Sequence, residues 1–292
     1  MSRFFLKFGC LPDRVLYALS AVLYLFIFYI FRYRRQTVHD NLLRAFPEKT
    51  SSERSVLARE FYRHLADVVV EVLILARLSE KELLQRVEVV GREHLVALTG
   101  RSQSFIMMAA HQANWEWMVA AMSVVCPCPM DALYRPLHDD FMEMFFHDVR
   151  KRFGASLIPA DGAAKAILKL RKELRAFGMI ADQNPRRQDD KLWISFLGVE
   201  TPVFPGPERI ATLMNYPVLF VGMEKLARGR YRCSISPLAE PPYAEHAGIC
   251  ARYMQAVEAQ IMRQPALWMW SHQRWRYTRA QCPDVHASPV AG

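Results

Sequence analysis

Val15 to Phe31 reads VLYALSAVLYLFIFYIF, an apolar run in which Ser20 is the only strongly polar side chain, and Arg32-Tyr33-Arg34-Arg35 follows at once. Such a run folds as a helix against lipid, where roughly 17–25 apolar residues span the hydrocarbon, or as a helix buried in a protein core. The flanks favour lipid. Basic residues at the end of an apolar segment are drawn to anionic headgroups and to the cytoplasmic side, and Tyr17, Tyr24 and Tyr29 are spread along the run. No small-residue cleavage site follows it and its charges come after it, so a removable leader fits poorly. Residues 1–35 are expected to form an N-terminal membrane anchor, spanning or half-inserted; the alternative is a core helix packed on the body.

Beyond it, Asn41 to about Ser79 has helical periodicity, interrupted at Phe46-Pro47, with Phe61, Leu65, Val68, Val72 and Leu75 at three- and four-residue steps. This makes residues 36–85 a helical lead-in. From Val87 onward, strands are predicted at Ser104–Ala110, Asp131–Tyr134, Phe177–Ala181, Val218–Met223 and Tyr231–Ile235. Between them, helices are predicted at Trp115–Val125, Asp139–Phe153, Ala163–Arg175, Pro207–Met214 and Gly248–Gln264. The alternation predicts an α/β domain over residues 86–285, a central mixed sheet covered by helices. Residues 286–292 are a tail; no internal repeat or linker is visible.

The chain has 38 Lys and Arg against 29 Asp and Glu, a formal charge of +9, with 52% hydrophobic and 23% charged residues. That balance excludes disordered and low-complexity classes, and a mean hydropathy of −0.02 with one continuous apolar run argues against a polytopic membrane protein. The positive charge predicts an anionic partner. Its distribution, beside the apolar run or scattered through the body with no Lys/Arg run of five, favours an anionic membrane surface and no nucleic acid. Six cysteines include no CxxC pair, so a disulfide framework or zinc site is not expected. Cys126-Pro127-Cys128 is read as a buried loop in a reducing compartment.

GxGxxG, P-loop, GxSxG and HExxH motifs are all missing. What remains is His111-Gln112-Ala113-Asn114-Trp115-Glu116, placed where an apolar strand gives out and a helix begins. In a continuous helix the first and last of these would lie roughly 140° apart. A turn with Asn114 as N-cap removes that obstacle and lets Glu116, in the first helical turn, reach back to the imidazole. A carboxylate that fixes a His tautomer leaves the other ring nitrogen free to take a proton from a hydroxyl. With no Ser or Cys in the segment placed as a nucleophile, that hydroxyl belongs to the substrate, and no cofactor is called for. With 9 His and 29 acidic residues in 292, chance supplies about one such spacing, and His138 with Glu143 is a second match. Only His111 ends an apolar strand.

Further segments occur in the same order. They are Tyr134-Arg135-Pro136, Arg150-Lys151-Arg152, Ala181-Asp182-Gln183, Phe196-Leu197-Gly198 with Thr201–Ala211, and Trp268-Met269-Trp270-Ser271-His272-Gln273-Arg274-Trp275-Arg276. The ordered set resembles the lipid A biosynthesis acyltransferases of the lysophospholipid acyltransferase superfamily over most of the chain. The resemblance implies transfer of a fatty acyl chain from an acyl carrier protein or coenzyme A thioester to a hydroxyl of a membrane glycolipid. It implies a bacterial inner-membrane location with the catalytic domain facing the cytoplasm. It makes His111 the general base and Glu116 its partner, matches Arg150 and Asp182 to other positions on which members depend, and offers Arg135 and Gln183 as further substrate contacts. Arg150 is expected to hold a phosphate. The phospholipid branch has Asp in place of Glu and a PEGTR-like segment, neither present here, which favours a saccharolipid acceptor. One departure is Ala110 where Gly is frequent. Met107, Met108, Met118, Met122, Phe141, Met142, Phe145 and Phe146 flank the segment and are candidates for an acyl pocket. The rival readings are an acyltransferase for another lyso- or amino-acid lipid, a non-catalytic membrane lipid-binding protein, and a thioesterase or lipase.

Overall fold

Phe105-Ile106-Met107-Met108-Ala109 is apolar at every position, which suits a strand only where both faces of its sheet are covered. In the computed structural model, which describes residues 11–136, 139–244 and 247–281, this segment is β2 (Phe105–Ala109), buried throughout at the centre of the sheet. Its partners are β1 (Val87–Val90), β3 (Met130–Tyr134), β4 (Ser156–Pro159), β5 (Ala176–Ile180), β8 (Val218–Ala227) and β9 (Arg230–Ala239). The order is β1-β9-β8-β2-β5-β3-β4. Neighbours run parallel except β8 and β9, so the sheet is mixed, as predicted.

Alternation along β2 sends Ile106 and Met108 to one core and Phe105, Met107 and Ala109 to the other. Each face is covered by helices. The chain supplies α1 (Asp13–Leu25), α2 (Arg35–Ala45), α3 (Ser51–Leu75), α4 (Glu80–Arg86), α5 (Arg92–Gly100), α6 (Trp115–Val125), α7 (Asp140–Lys151), α8 (Ala163–Lys169), α9 (Gly206–Met214) and α10 (Ile249–Arg263). α6 packs in one layer and α10 in the other.

Two differences from the sequence reading have local causes. α8 stops at Lys169, not Arg175, and a turn closed by Glu173 N–H to Leu170 O delivers Arg175 to the start of β5, where its guanidinium forks onto Asp131 at 2.5 and 2.8 Å. β6 (Leu192–Phe196) and β7 (Val199–Val203), unpredicted, form a separate hairpin. The two turn residues, Leu197 and Gly198, have φ of +51° and +74°, as a two-residue turn of the primed type requires. Leucine is a rare occupant of that position, so the usual Asn-Gly or Asp-Gly signal is missing. The boundary at residue 285 and the tail at 286–292 lie outside the described residues, as do Cys10, Cys282 and His138.

The apolar run forms α1 and a π turn, Phe26–Ile30. It matches neither a free anchor nor a wholly buried core helix. Leu16, Ser20, Tyr24 and Phe28 are buried at four-residue steps, and α1 packs along α3, with Ser20 donating to Asp67 at 2.7 Å. The opposite stripe, including Val15, Leu19, Val22, Leu25 and Phe26, is exposed. Arg35 lies over the Phe28 ring at 4.5 Å and Arg63 over Tyr24 at 5.1 Å, so cations sit beside the helix along part of its length. Among the described residues, deleting 1–30 removes three buried apolar side chains, Leu16, Tyr24 and Phe28, each contributing about 1.5–3 kcal/mol. The truncated protein should therefore melt well below the full chain, by several kcal/mol of stability, whereas Val22→Asp on the exposed stripe should leave melting almost unchanged. Equal melting of truncated and full-length protein contradicts the packing role of α1.

Candidate active site

β2 and β5 are adjacent and parallel with Ala109 opposite Ile180. Two residues further along each strand stand His111 and Asp182, so the register alone brings them face to face at the carboxyl ends of the strands, where α/β sheets place their ligand sites. Asp182 Oδ1 lies 2.6 Å from His111 Nδ1, and Oδ2 accepts from His111 N–H at 2.9 Å and from Trp268 Nε1 at 2.8 Å. Its side chain is 1% exposed. Burial pushes this carboxyl upward, yet the imidazole and the N–H donors around it outweigh burial and hold it below the usual carboxylate range. A carboxylate facing Nδ1 accepts a hydrogen bond from that nitrogen, which keeps the proton on Nδ1 and places the lone pair on Nε2. The Gln183 amide nitrogen, 3.4 Å from Nε2, is the matching donor.

After His111 the chain turns from strand to helix in four residues. Ala113 takes φ +52° to do so, a strained conformation for a residue with a Cβ, and the surroundings fix it there. Ala113 N–H donates to Leu267 O at 2.9 Å, Met269 N–H to His111 O at 3.0 Å, and His64 Nε2 lies 3.0 Å from Ala113 O. Asn114 caps α6, accepting from Trp117 N–H at 3.0 Å.

Glu116 sits in the first turn of α6 and faces away from the role expected of it. Its carboxylate is gripped by Arg150, Nε to Oε2 at 3.0 Å and a terminal nitrogen to Oε1 at 2.7 Å. The expected reach of Glu116 back to the imidazole is thus corrected: the Nδ1 partner is Asp182. The reason is electrostatic. Arg150 and Glu116 are 22% and 6% exposed, and each would otherwise leave a poorly solvated charge. The same pairing corrects Arg150, whose expected phosphate-binding fork is closed on Glu116.

His111, Glu116, Arg135, Arg150 and Gln183 line one cavity of about 630 Å³, and Asp182 supports it from behind. That is within the range of small-ligand sites. Its depth is apolar. Met107, Met118 and Met122 of the proposed pocket line it, joined by Met130 and Met179. Met108 faces the other core, and Phe141, Met142, Phe145 and Phe146 do not line it. Gly178 keeps the wall open, since a Cβ there would come within 2.8 Å of the Met130 methyl. Among the described residues no serine, threonine or cysteine lines the cavity.

The chain matches the family model described as bacterial lipid A biosynthesis acyltransferase over residues 3–277. It belongs to that family. A lipid A biosynthesis acyltransferase of Haemophilus influenzae is 23% identical over 97% of this chain and 88% of the relative. The lipid A biosynthesis palmitoleoyltransferase of Escherichia coli K12 is 25% identical over 83% of this chain and 79% of its own, and the lauroyltransferase of the same organism 22% identical over 91% and 87%. As a member of that family the chain is an enzyme of the transferase class, an acyltransferase. Sequence reasoning missed Trp268, which donates to Asp182, and Arg274, whose guanidinium reaches Asn184 Oδ1 at 2.7 Å at the cavity edge. The Trp268–Arg276 segment carried the only signal for both.

Two stability tests follow from this geometry. Glu116→Gln strands the Arg150 charge and should cost about 3–5 kcal/mol, while Glu116→Gln combined with Arg150→Met should cost less than the single change; chemical denaturation measures both, and additive losses contradict the pairing. His64 is held near pKa 4, by burial first and by Lys225 second, and His272 near 4, by burial first and then Arg274. Both values lie below the ordinary histidine pKa of about 6.5, so the unfolded chain binds the extra protons. Stability should be complete above about pH 6.5 and fall as pH drops toward 4, by at most about 1.4 kcal/mol per pH unit for each group. A flat melting profile from pH 7 to 5 contradicts this.

Proposed function

We propose that this enzyme moves a fatty acyl chain from a thioester, on acyl carrier protein or coenzyme A, directly to a hydroxyl of a lipid A precursor at the cytoplasmic face of the bacterial inner membrane. The observation that carries the reading is the imidazole of His111. Its Nδ1 faces a buried carboxylate, and the ring borders a largely apolar cavity with no serine, threonine or cysteine among its described lining residues. His111 Nε2 takes the acceptor hydroxyl proton as its oxygen attacks the thioester carbon; the C–S bond breaks, and the imidazolium returns the proton to the departing sulfur. Asp182 stabilises the imidazolium between the two transfers, taking the place expected of Glu116. The methionine-lined depth takes the acyl chain, and Arg135 at the exposed rim takes acceptor or donor phosphate. Gln183 donates toward the reacting carbonyl. Glu116 and Arg150, locked together, shape the wall between α6 and α7.

The exposed stripe of α1 is read as a half-inserted anchor. Its other stripe is fastened to α3 along its length, and α3 carries Arg59, Arg63, His64, Asp67 and Glu71, which argues against the pair crossing a bilayer together. Arg35 and Arg63, which lie over Phe28 and Tyr24 of the buried stripe, set cations beside the helix that suit anionic headgroups.

The test is acyl transfer by full-length protein in anionic vesicles, with a lipid A precursor and acyl carrier protein or coenzyme A thioesters, read as a product heavier by one acyl group. His111→Ala should lose at least about a hundredfold in rate, and Asp182→Asn about as much through the wrong tautomer, with melting retained in the first. His111→Ala keeping more than about a tenth of the rate excludes it as the general base.

A further inference from the structure

Two lines of polar contacts leave α1, cross α3 and end on neighbouring residues of the loop that carries His111. In the first, Tyr17 donates to Glu71 Oε1 at 3.0 Å, and Asn114 Nδ2 donates to Oε2 at 2.7 Å. In the second, Ser20 donates to Asp67 at 2.7 Å and Lys225 donates to the other Asp67 oxygen at 3.1 Å. Lys225 Nζ lies 3.4 Å from His64 Nδ1, and the opposite nitrogen of that ring reaches Ala113 O. Nε2 therefore carries the ring proton, since Nδ1 faces an ammonium.

Glu71 is the densest point of this arrangement. It is 0% exposed. Besides Tyr17 and Asn114 it accepts from Tyr231 at 2.6 Å, and its own carbonyl accepts from Trp117 Nε1 at 2.8 Å. One side chain of α3 thus touches α1 and β9 together with the N-cap of α6. Burial pushes its carboxyl upward against the pull of those donors, so a group of this kind is a poor choice for stability alone; an apolar residue of similar volume would avoid the desolvation cost. Asn114 already accepts its capping bond through Oδ1 and does not need Glu71 for it. What Glu71 adds is a fixed angle for the cap and so for the strained Ala113 and for His111 before it. Displacement of a reacting group by about 1 Å can cost on the order of a hundredfold in rate.

We propose that Glu71 is a positioning residue for His111, and that the Tyr17–Glu71–Asn114 tie makes the geometry of the catalytic loop depend on how α1 is seated. Its kinetic part rests on the acyl-transfer reading above. Full-length protein in anionic vesicles is compared with Tyr17→Phe, Glu71→Gln and Asn114→Ser, the last keeping a capping oxygen while losing the amide. Each should lower kcat about three- to tenfold with KM nearly unchanged, and Tyr17→Phe with Asn114→Ser should be no slower than Asn114→Ser alone, because the two meet through Glu71. Multiplying losses, or an unchanged kcat, overturn the tie.

A second readout is independent of activity. Hydrogen exchange at residues 111–117 should quicken in Tyr17→Phe while exchange in β2 and β5 stays as in the parent protein. Unchanged loop exchange, or quickening spread evenly over the sheet, overturns the proposal even if no acyl transfer is found. A parent protein without transfer activity but with selective loop quickening leaves Glu71 in its positioning role and sinks the functional reading instead.

Discussion

A carboxylate removed from water must be met by donors on both oxygens or it will not stay charged. Asp182 meets that demand with the backbone and ring of His111 and with the indole of Trp268. The donors come from two distant parts of the chain. The strand pairing of β2 with β5 delivers His111, and the segment after α10 delivers Trp268, which is bridged to Gln112. Holding one buried charge therefore fixes the register of the central strands, the exit of β2 and the path of the C-terminal segment at the same time.

The second buried pair, Glu116 with Arg150, has a different consequence. It links the first turn of α6 to the last turn of α7, the two helices that flank the methionine-lined cavity. The desolvation cost of both charges is offset only while the fork is closed, so the pair holds α6 to α7 beside the cavity. Methionine, unbranched and polarisable, fits the proposal that this surface receives a flexible hydrocarbon.

Much of the fold is legible in the sequence because its signals are local. The unbroken apolar strand at Phe105–Ala109, the Asn114 cap and the alternation of strands with helices each announce themselves within a few residues. The residues expected at the site line or support one cavity, yet their pairing was not legible. Spacing suggested Glu116 for the imidazole, and the true neighbour stands 71 positions away, visible only once β2 is known to lie beside β5. The two-sidedness of α1 was hidden for a related reason: hydropathy averages over a helix, and here one stripe faces Asp67 and Glu71 while the other is exposed. The β6–β7 hairpin escaped because Leu197 occupies a turn position that usually needs Asn, Asp or Gly.

The tautomer of His111 is the most direct measure of how this site works, because it depends on Asp182 and not on any substrate. Nitrogen-15 spectra of the histidine side chains, assigned by comparison with His111→Gln, distinguish a protonated ring nitrogen from one bearing a lone pair. In its neutral form His111 should carry the proton on Nδ1 and the lone pair on Nε2, and Asp182→Asn should abolish that preference. A neutral His111 protonated on Nε2 in the parent protein, or a tautomer indifferent to Asp182→Asn but altered by Glu116→Gln, would contradict it and return the imidazole to Glu116.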